Sequence, residues 1–285
     1  MHEHDVRAQR TAAAHRRTSC HLRRRLRFAI LAPSLPSVRG IRPTHHACKS
    51  RATVLRPRRH DLSSTPRRLQ VIGTLFEACV DSVAQTRDAA SFGADRVELC
   101  IDLAHDGCTP PLPLAAECSA AGIPVIAMVR PRPGNFTYSR AELDAMCGVM
   151  PDLADRGVSG FATGALLGDG GLDVAAIERL VRTAGELPVT VHRAFDHLAN
   201  LDAGLDLLIE LGVRRVLTSG GQPSALMGVD ALRRLTDRAA GRIEVIAAGT
   251  IRPSNVDRIV AATNAPAVHA RWSGWQEGLT STARS

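Results

Sequence analysis

The stretch RVELCIDLAHDGCTPP (96–111) places a carboxylate and a thiol two residues apart, with a second thiol in the loop that follows. In an extended chain alternate side chains share a face, so Glu98 and Cys100 point one way while Val97 and Leu99 point the other. An earlier run, LFEACV (75–80), repeats the arrangement: Glu77 and Cys79 lie opposite Phe76, Ala78 and Val80. Two thiolates at one place suit a soft cation such as Cu(I), which makes Cys79 and Cys100 candidate metal ligands. Thiols that only fill space in a core give the same pattern, and both readings stand. Other reactive residues follow the ends of apolar runs. MVRPRPGNF supplies Arg130, and VHRAFD supplies His192, Arg193 and Asp196. Together Glu98, Arg130, His192 and Asp196, with Glu77 below them, offer acids, a guanidinium and an imidazole. That set can do general acid–base work on a small anionic substrate. Its rival is a layer of internal ion pairs. Ser219-Gly220-Gly221 could present backbone N–H groups to a phosphate or carboxylate, or be an ordinary turn.

Such residues converge only if the elements that carry them are parallel strands. Strand-like runs occur at 75–80, 95–99, 124–130, 158–164, 188–193, 213–221, 242–249 and 266–270, separated by helical patterns. Several helical patterns end in a glycine just before the next strand, as C-terminal stops do. Strict alternation implies a parallel sheet, and eight strands imply an α/β fold of the TIM-type (β/α)8 barrel class rather than an open doubly wound sheet. In that fold the functional face is the C-terminal end of the strands, where the residues above would gather. No GxGxxG or GxxxxGK[ST] follows an early strand, which removes the common nucleotide folds. The tail ARWSGWQEGLTSTARS shows little helical period, so the eighth helix is expected to be short, altered or missing. An uncovered flank there would favour association into a homo-oligomer.

Charge divides the chain. Residues 1–73 hold 17 Lys and Arg against 3 Asp and Glu, whereas residues 74–285 hold 19 against 25. The basic segment has few aromatics and no persistent period, and reads as a disordered leader. It fits a basic arm for nucleic acid or anionic lipid, an Arg-rich transit peptide, or, as favoured here, sequence upstream of a start at Val71 or Leu75. Nucleic acid is accordingly not an expected partner of the barrel, residues 74–285, and no membrane span is expected. Seven cysteines without a CxxC pair argue against a disulfide framework. Cys118 and Cys147 sit in helical patterns and read as core.

FEACVDS (76–82), GADRVELC (93–100), GCTPP (107–111), MVRPRPGNF (128–136), VTVHRAFD (189–196), RVLTSGG (215–221) and VHA (268–270) resemble, in order, the motifs of the CutC family, the so-called copper homeostasis proteins. The resemblance implies a TIM-type barrel, a cytoplasmic location and frequent oligomerisation. It also implies a role in copper handling, with Cu(I) as the cofactor or cargo at the positions of Cys79 and Cys100. The alternative it leaves is a cofactor-free barrel enzyme. Three departures stand out: the glycine-rich turn after the seventh strand is reduced to AAGTI (247–251), Arg271 replaces a serine, and the tail differs.

Overall fold

The computed structural model describes residues 73–282. The expectation for the basic leader therefore falls, apart from Gly73, outside the described residues. Eight strands alternate with eight helices: β1 Leu75–Val80, α1 Val83–Phe92, β2 Arg96–Leu99, α2 Leu112–Ser119, β3 Val125–Met128, α3 Arg140–Asp155, β4 Gly160–Thr163, α4 Val174–Ala184, β5 Val189–Val191, α5 Leu201–Glu210, β6 Arg215–Thr218, α6 Val229–Ala239, β7 Glu244–Ala247, α7 Val256–Thr263, β8 Ala267–Arg271 and α8 Trp272–Thr282. Every strand is parallel to its neighbours, and β1 pairs with β8 to close the barrel.

Local chemistry explains the element ends. Ser82 caps α1 by accepting from the Gln85 N–H, and Gly93 ends it at φ 97°, a left-handed turn that glycine adopts without a Cβ clash. Ser139 and Glu142 form a reciprocal capping box at the start of α3. Asp173 and Asn200 do the same one-sidedly for α4 and α5.

The side chains of β1 and β2 alternate between the two faces of the barrel wall. Phe76, Ala78, Val80, Val97 and Leu99 pack outward against the helices in one large core cluster. Cys79 and Cys100 turn inward and pack with Ile126, Met128 and Ala162. Glu77, Arg96 and Glu98 are likewise buried on the interior side.

The eighth helix corrects the sequence expectation. It runs for 11 residues, Trp272–Thr282. Trp272 and Trp275 are buried in the outer core, with Leu279 packed against it. Their spacing is helical, but Gly274 and Gly278 lower the propensity of the segment and obscured it. Those glycines have a packing reason: a Cβ would come within 2.7 Å of the Arg252 guanidinium at Gly274 and within 2.7 Å of the Pro253 ring at Gly278. Trp275 stacks on Phe76 with ring centroids 4.7 Å apart, so the flank beside β1 is covered. That covered flank gives no driving force for association.

Candidate functional site

The site is built in layers along the barrel axis. Deepest is a buried ionic cluster. Glu77 on β1 accepts from Arg96 Nε on β2 and from His269 Nδ1 on β8, the latter at 2.7 Å. Arg96 also donates to Glu244 on β7 at 2.5 Å. Burial alone would raise the Glu77 carboxyl, but the His269 hydrogen bond and the Arg96 charge outweigh it and lower its pKa to about 2. Glu77 thus stays ionised and fixes the His269 ring, leaving Nε2 free to face upward, 3.7 Å from Glu98 Oε2.

Above this lie the two cysteines. Cys79 is the register partner of Glu98, and Cys100 stands just beyond the end of the pairing. Strand tilt in a closed barrel brings such diagonal neighbours level. The two sulfurs are 3.5 Å apart. Ligand atoms of Cys79, Glu98 and His269 lie within 4.8 Å of one another. Cys79, Cys100 and His269 are the residues that would hold a soft metal ion there, with Glu98 beside them.

The protonation states follow from the surroundings. Hydrogen bonding with Cys100, then burial, pushes the Cys79 thiol well above its usual value. Burial also raises the Glu98 carboxyl, against the pull of His269. Burial opposes a charge on His269, but Glu98, Cys79 and Glu77 together raise it well above the usual imidazole value. The resting site therefore holds a protonated Cys79 thiol beside an imidazolium. A metal must displace protons to bind thiolates there.

The cysteine layer opens into a cavity of about 470 Å³, whose lining also includes Arg130, His192, Arg193, Arg252 and Arg271. Arg130, at the exit of β3, is 2% exposed. It donates to the carbonyls of His105, Gly107 and Gly134, and its guanidinium lies 4.9 Å from the Phe136 ring centroid. His192, just after β5, is 4% exposed. Burial, with the Arg130 charge adding, lowers its pKa to about 3, so the ring is neutral.

Asp196 is placed differently from the other three candidate catalytic residues. Its carboxylate accepts from Thr218 Oγ1 at 2.5 Å, from Ser219 N–H at 3.0 Å and from Gly221 N–H at 3.0 Å, and it pairs with Arg193 at 2.8 Å. It does not line the cavity. The Ser219–Gly221 turn does present N–H groups to a carboxylate, and that carboxylate is Asp196. The structure thus brings Cys79, Glu98 and Cys100 together low in the cavity, sets Arg130 and His192 at its mouth, and ties Asp196 to the loop after β6.

His269 is the site residue that sequence reasoning left out. It lies in the VHA motif and alternates with Val268 and Ala270, so its inward direction was readable. Its partner Glu77 lies 192 residues away, and nothing local announces that contact. Cys108 is buried in the following loop, while Cys118 packs in the outer core as expected.

Comparison with known proteins fits this geometry. The CutC family profile matches residues 74–274. A CutC family protein of Caulobacter vibrioides is 41% identical over 200 residues, covering 70% of this chain and 82% of that protein. A human protein named copper homeostasis protein cutC homolog is 41% identical over 198 residues, covering 69% and 72%. The crystal structure of CutC from Streptococcus agalactiae superposes with a TM-score of 0.65 at 29% identity, covering 69% of this chain and 97% of that one. A deoxyribose phosphate aldolase from Aeropyrum pernix, at 14% identity and a TM-score of 0.54, shares the barrel fold alone. The chain belongs to the CutC family.

Proposed function

We propose that this CutC-family chain serves copper homeostasis by binding Cu(I) through Cys79 and Cys100. The observation that carries the reading is the pair of buried sulfurs 3.5 Å apart at the foot of an open cavity. Soft thiolates select Cu(I) over harder ions. His269 and Glu98 stand beside the pair as a third donor and a compensating carboxylate. Ligation by thiolates, and by His269 as a neutral imidazole, displaces the protons that Cys79 and His269 hold at rest, so affinity rises with pH. Five described cysteines are free, which suits the reducing cytoplasm that the family resemblance implies.

The test is an anaerobic titration of reduced protein against a chromogenic Cu(I) chelator. One ion per chain is expected, lost in Cys79→Ser and in Cys100→Ser and retained in Cys118→Ser and Cys147→Ser. Equal uptake by all four variants would return the cysteines to the core.

A second reading is a cofactor-free enzyme acting on a small anionic metabolite. It is favoured by a cavity of about 470 Å³, far larger than one ion requires, with arginines around its rim. In that reading Glu98 is the acid–base group, its pKa raised by burial, and Arg130 and His192 bind substrate. Asp196 would act only by holding the loop after β6. Metal analysis of protein purified under reducing conditions separates the two readings: stoichiometric copper supports the first, and a metal-free chain carrying a bound organic anion supports the second. Homo-oligomer formation, the remaining family expectation, is read by light scattering on the same sample.

A further inference from the structure

Copper ligation leaves part of the cavity unused. Glu98, Arg130 and His192 all line it, and each buries a polar atom with no hydrogen-bond partner among the described residues: Glu98 Oε1, Arg130 Nε and His192 Nε2. Buried polar atoms are seldom left unpaired without a reason. The last two are both donors. His192 Nδ1 accepts from the Ala194 N–H at 3.2 Å, which puts the proton of the neutral ring on Nε2. Arg130 spends its terminal nitrogens on three neutral carbonyls, and among the described residues no carboxylate pairs with it. The neutral Tyr138 hydroxyl lies beside the guanidinium and interacts with it, without reaching full hydrogen-bond geometry and without supplying a counter-charge. A buried guanidinium without a counter-ion is costly, and a bound anion would offset that cost.

A glycine brings the two donors together. The β3–β4 register, continued by two residues, sets Arg130 opposite Gly164; the β4–β5 register, continued by one, sets Gly164 opposite His192. A Cβ at Gly164 would lie 2.7 Å from His192 Cε1 and 2.8 Å from Nδ1. Without it the imidazole can lie across β4 toward Arg130. Both groups pack on Phe136, with its ring centroid 4.9 Å from the guanidinium and 4.9 Å from the imidazole.

We propose that Arg130 and His192 form an oxyanion subsite for the carboxylate of a small organic acid, and that Gly164 is the residue that lets them converge. One cation plus one neutral N–H matches a monoanionic carboxylate better than a phosphate dianion, which calls for more donors and more charge. Arg252 and Arg271 at the rim add positive potential that draws anions in. Glu98 pairs with Ile126 four residues before Arg130 and so lies roughly 13 Å deeper along the strands, leaving the cavity between them for the body of a longer acid. This deepens the second reading above and does not depend on copper.

The experiment uses the reduced, metal-free full chain with 15N-labelled histidine, followed by NMR as L-lactate is added, with lactamide and inorganic phosphate as parallel probes. Lactate is expected to shift the His192 side-chain resonance, assigned through His192→Phe, and to saturate. Lactamide should leave it in place, and phosphate should bind at least tenfold more weakly. Gly164→Ala and His192→Phe should each weaken lactate binding tenfold or more while Cu(I) uptake at the cysteines is unchanged, with thermal melting confirming that both variants fold. A His192 signal indifferent to lactate, an equal response to lactamide, or unaltered binding in both variants would overturn the subsite. Loss of Cu(I) binding with lactate binding intact would instead count against the copper reading alone.

Discussion

Acid should weaken this barrel through one imidazole. His192 is 4% exposed. Burial, reinforced by Arg130, holds its pKa at about 3 against an ordinary 6.5. A base depressed in this way stays neutral in the folded state while the unfolded chain takes up a proton. Between pH 6.5 and about 3 the unfolded state therefore binds more protons, and stability falls as pH falls. The full shift is worth about 5 kcal/mol, and roughly half of it falls between pH 6 and pH 4. The perturbation that isolates it is His192→Asn, which keeps an acceptor near the Ala194 N–H and cannot titrate. Urea denaturation of both proteins at half-unit pH steps, in buffers free of carboxylates, gives two stability curves. The variant starts lower at pH 7 because it loses packing. The gap should then close by about 2–3 kcal/mol on going from pH 6 to pH 4, because the wild type alone carries this penalty. Parallel curves would show that His192 is already hydrated or charged in the folded state, and the argument for a neutral Nε2 donor would fall with them.

Two further outcomes follow from the layers beneath and outside. Glu77→Gln leaves Arg96 with Glu244 as its remaining carboxylate partner and His269 without its orienting carboxylate; a loss of about 2–4 kcal/mol in denaturant unfolding is expected, with Cu(I) affinity, on the copper reading, down about 10–100-fold in chelator competition. Trp275→Ala removes a side chain 1% exposed from the seam between α8 and β1, and should cost about 3–5 kcal/mol; a near-neutral effect would mean that α8 contributes little to holding the barrel.

The parts of this architecture that repeat with a short period were legible in the chain. Alternation in FEACV and RVELC put Glu77, Cys79, Glu98 and Cys100 on the inner face before any coordinates, because a strand has only two faces and Phe76, Val97 and Leu99 claim one. What was not legible depends on closure. His269 acquires its role only when β8 meets β1. The tail concealed a helix because Gly274 and Gly278 answer to Arg252 and Pro253, not to local propensity. Asp196 looked like a mouth acid because its position after β5 is right, but the Ser219 and Gly221 N–H groups compete for the same carboxylate, and that contact belongs to a turn 23 to 25 residues on.

The meeting of the first strand with the last has a consequence for biosynthesis. Glu77 and His269 are 192 residues apart in the chain. At ~5–20 residues per second, roughly 10–40 s pass on the ribosome between making the first and making the second. Throughout that interval Cys79 and Cys100 belong to an unfinished sheet, without the imidazole that completes their surroundings. The nascent chain thus carries both thiols before the pocket around them exists, and any metal selectivity of the proposed site belongs to the finished molecule. On the copper reading proposed above, an ion that reached the chain during synthesis would meet a different ligand set from the one the completed barrel presents.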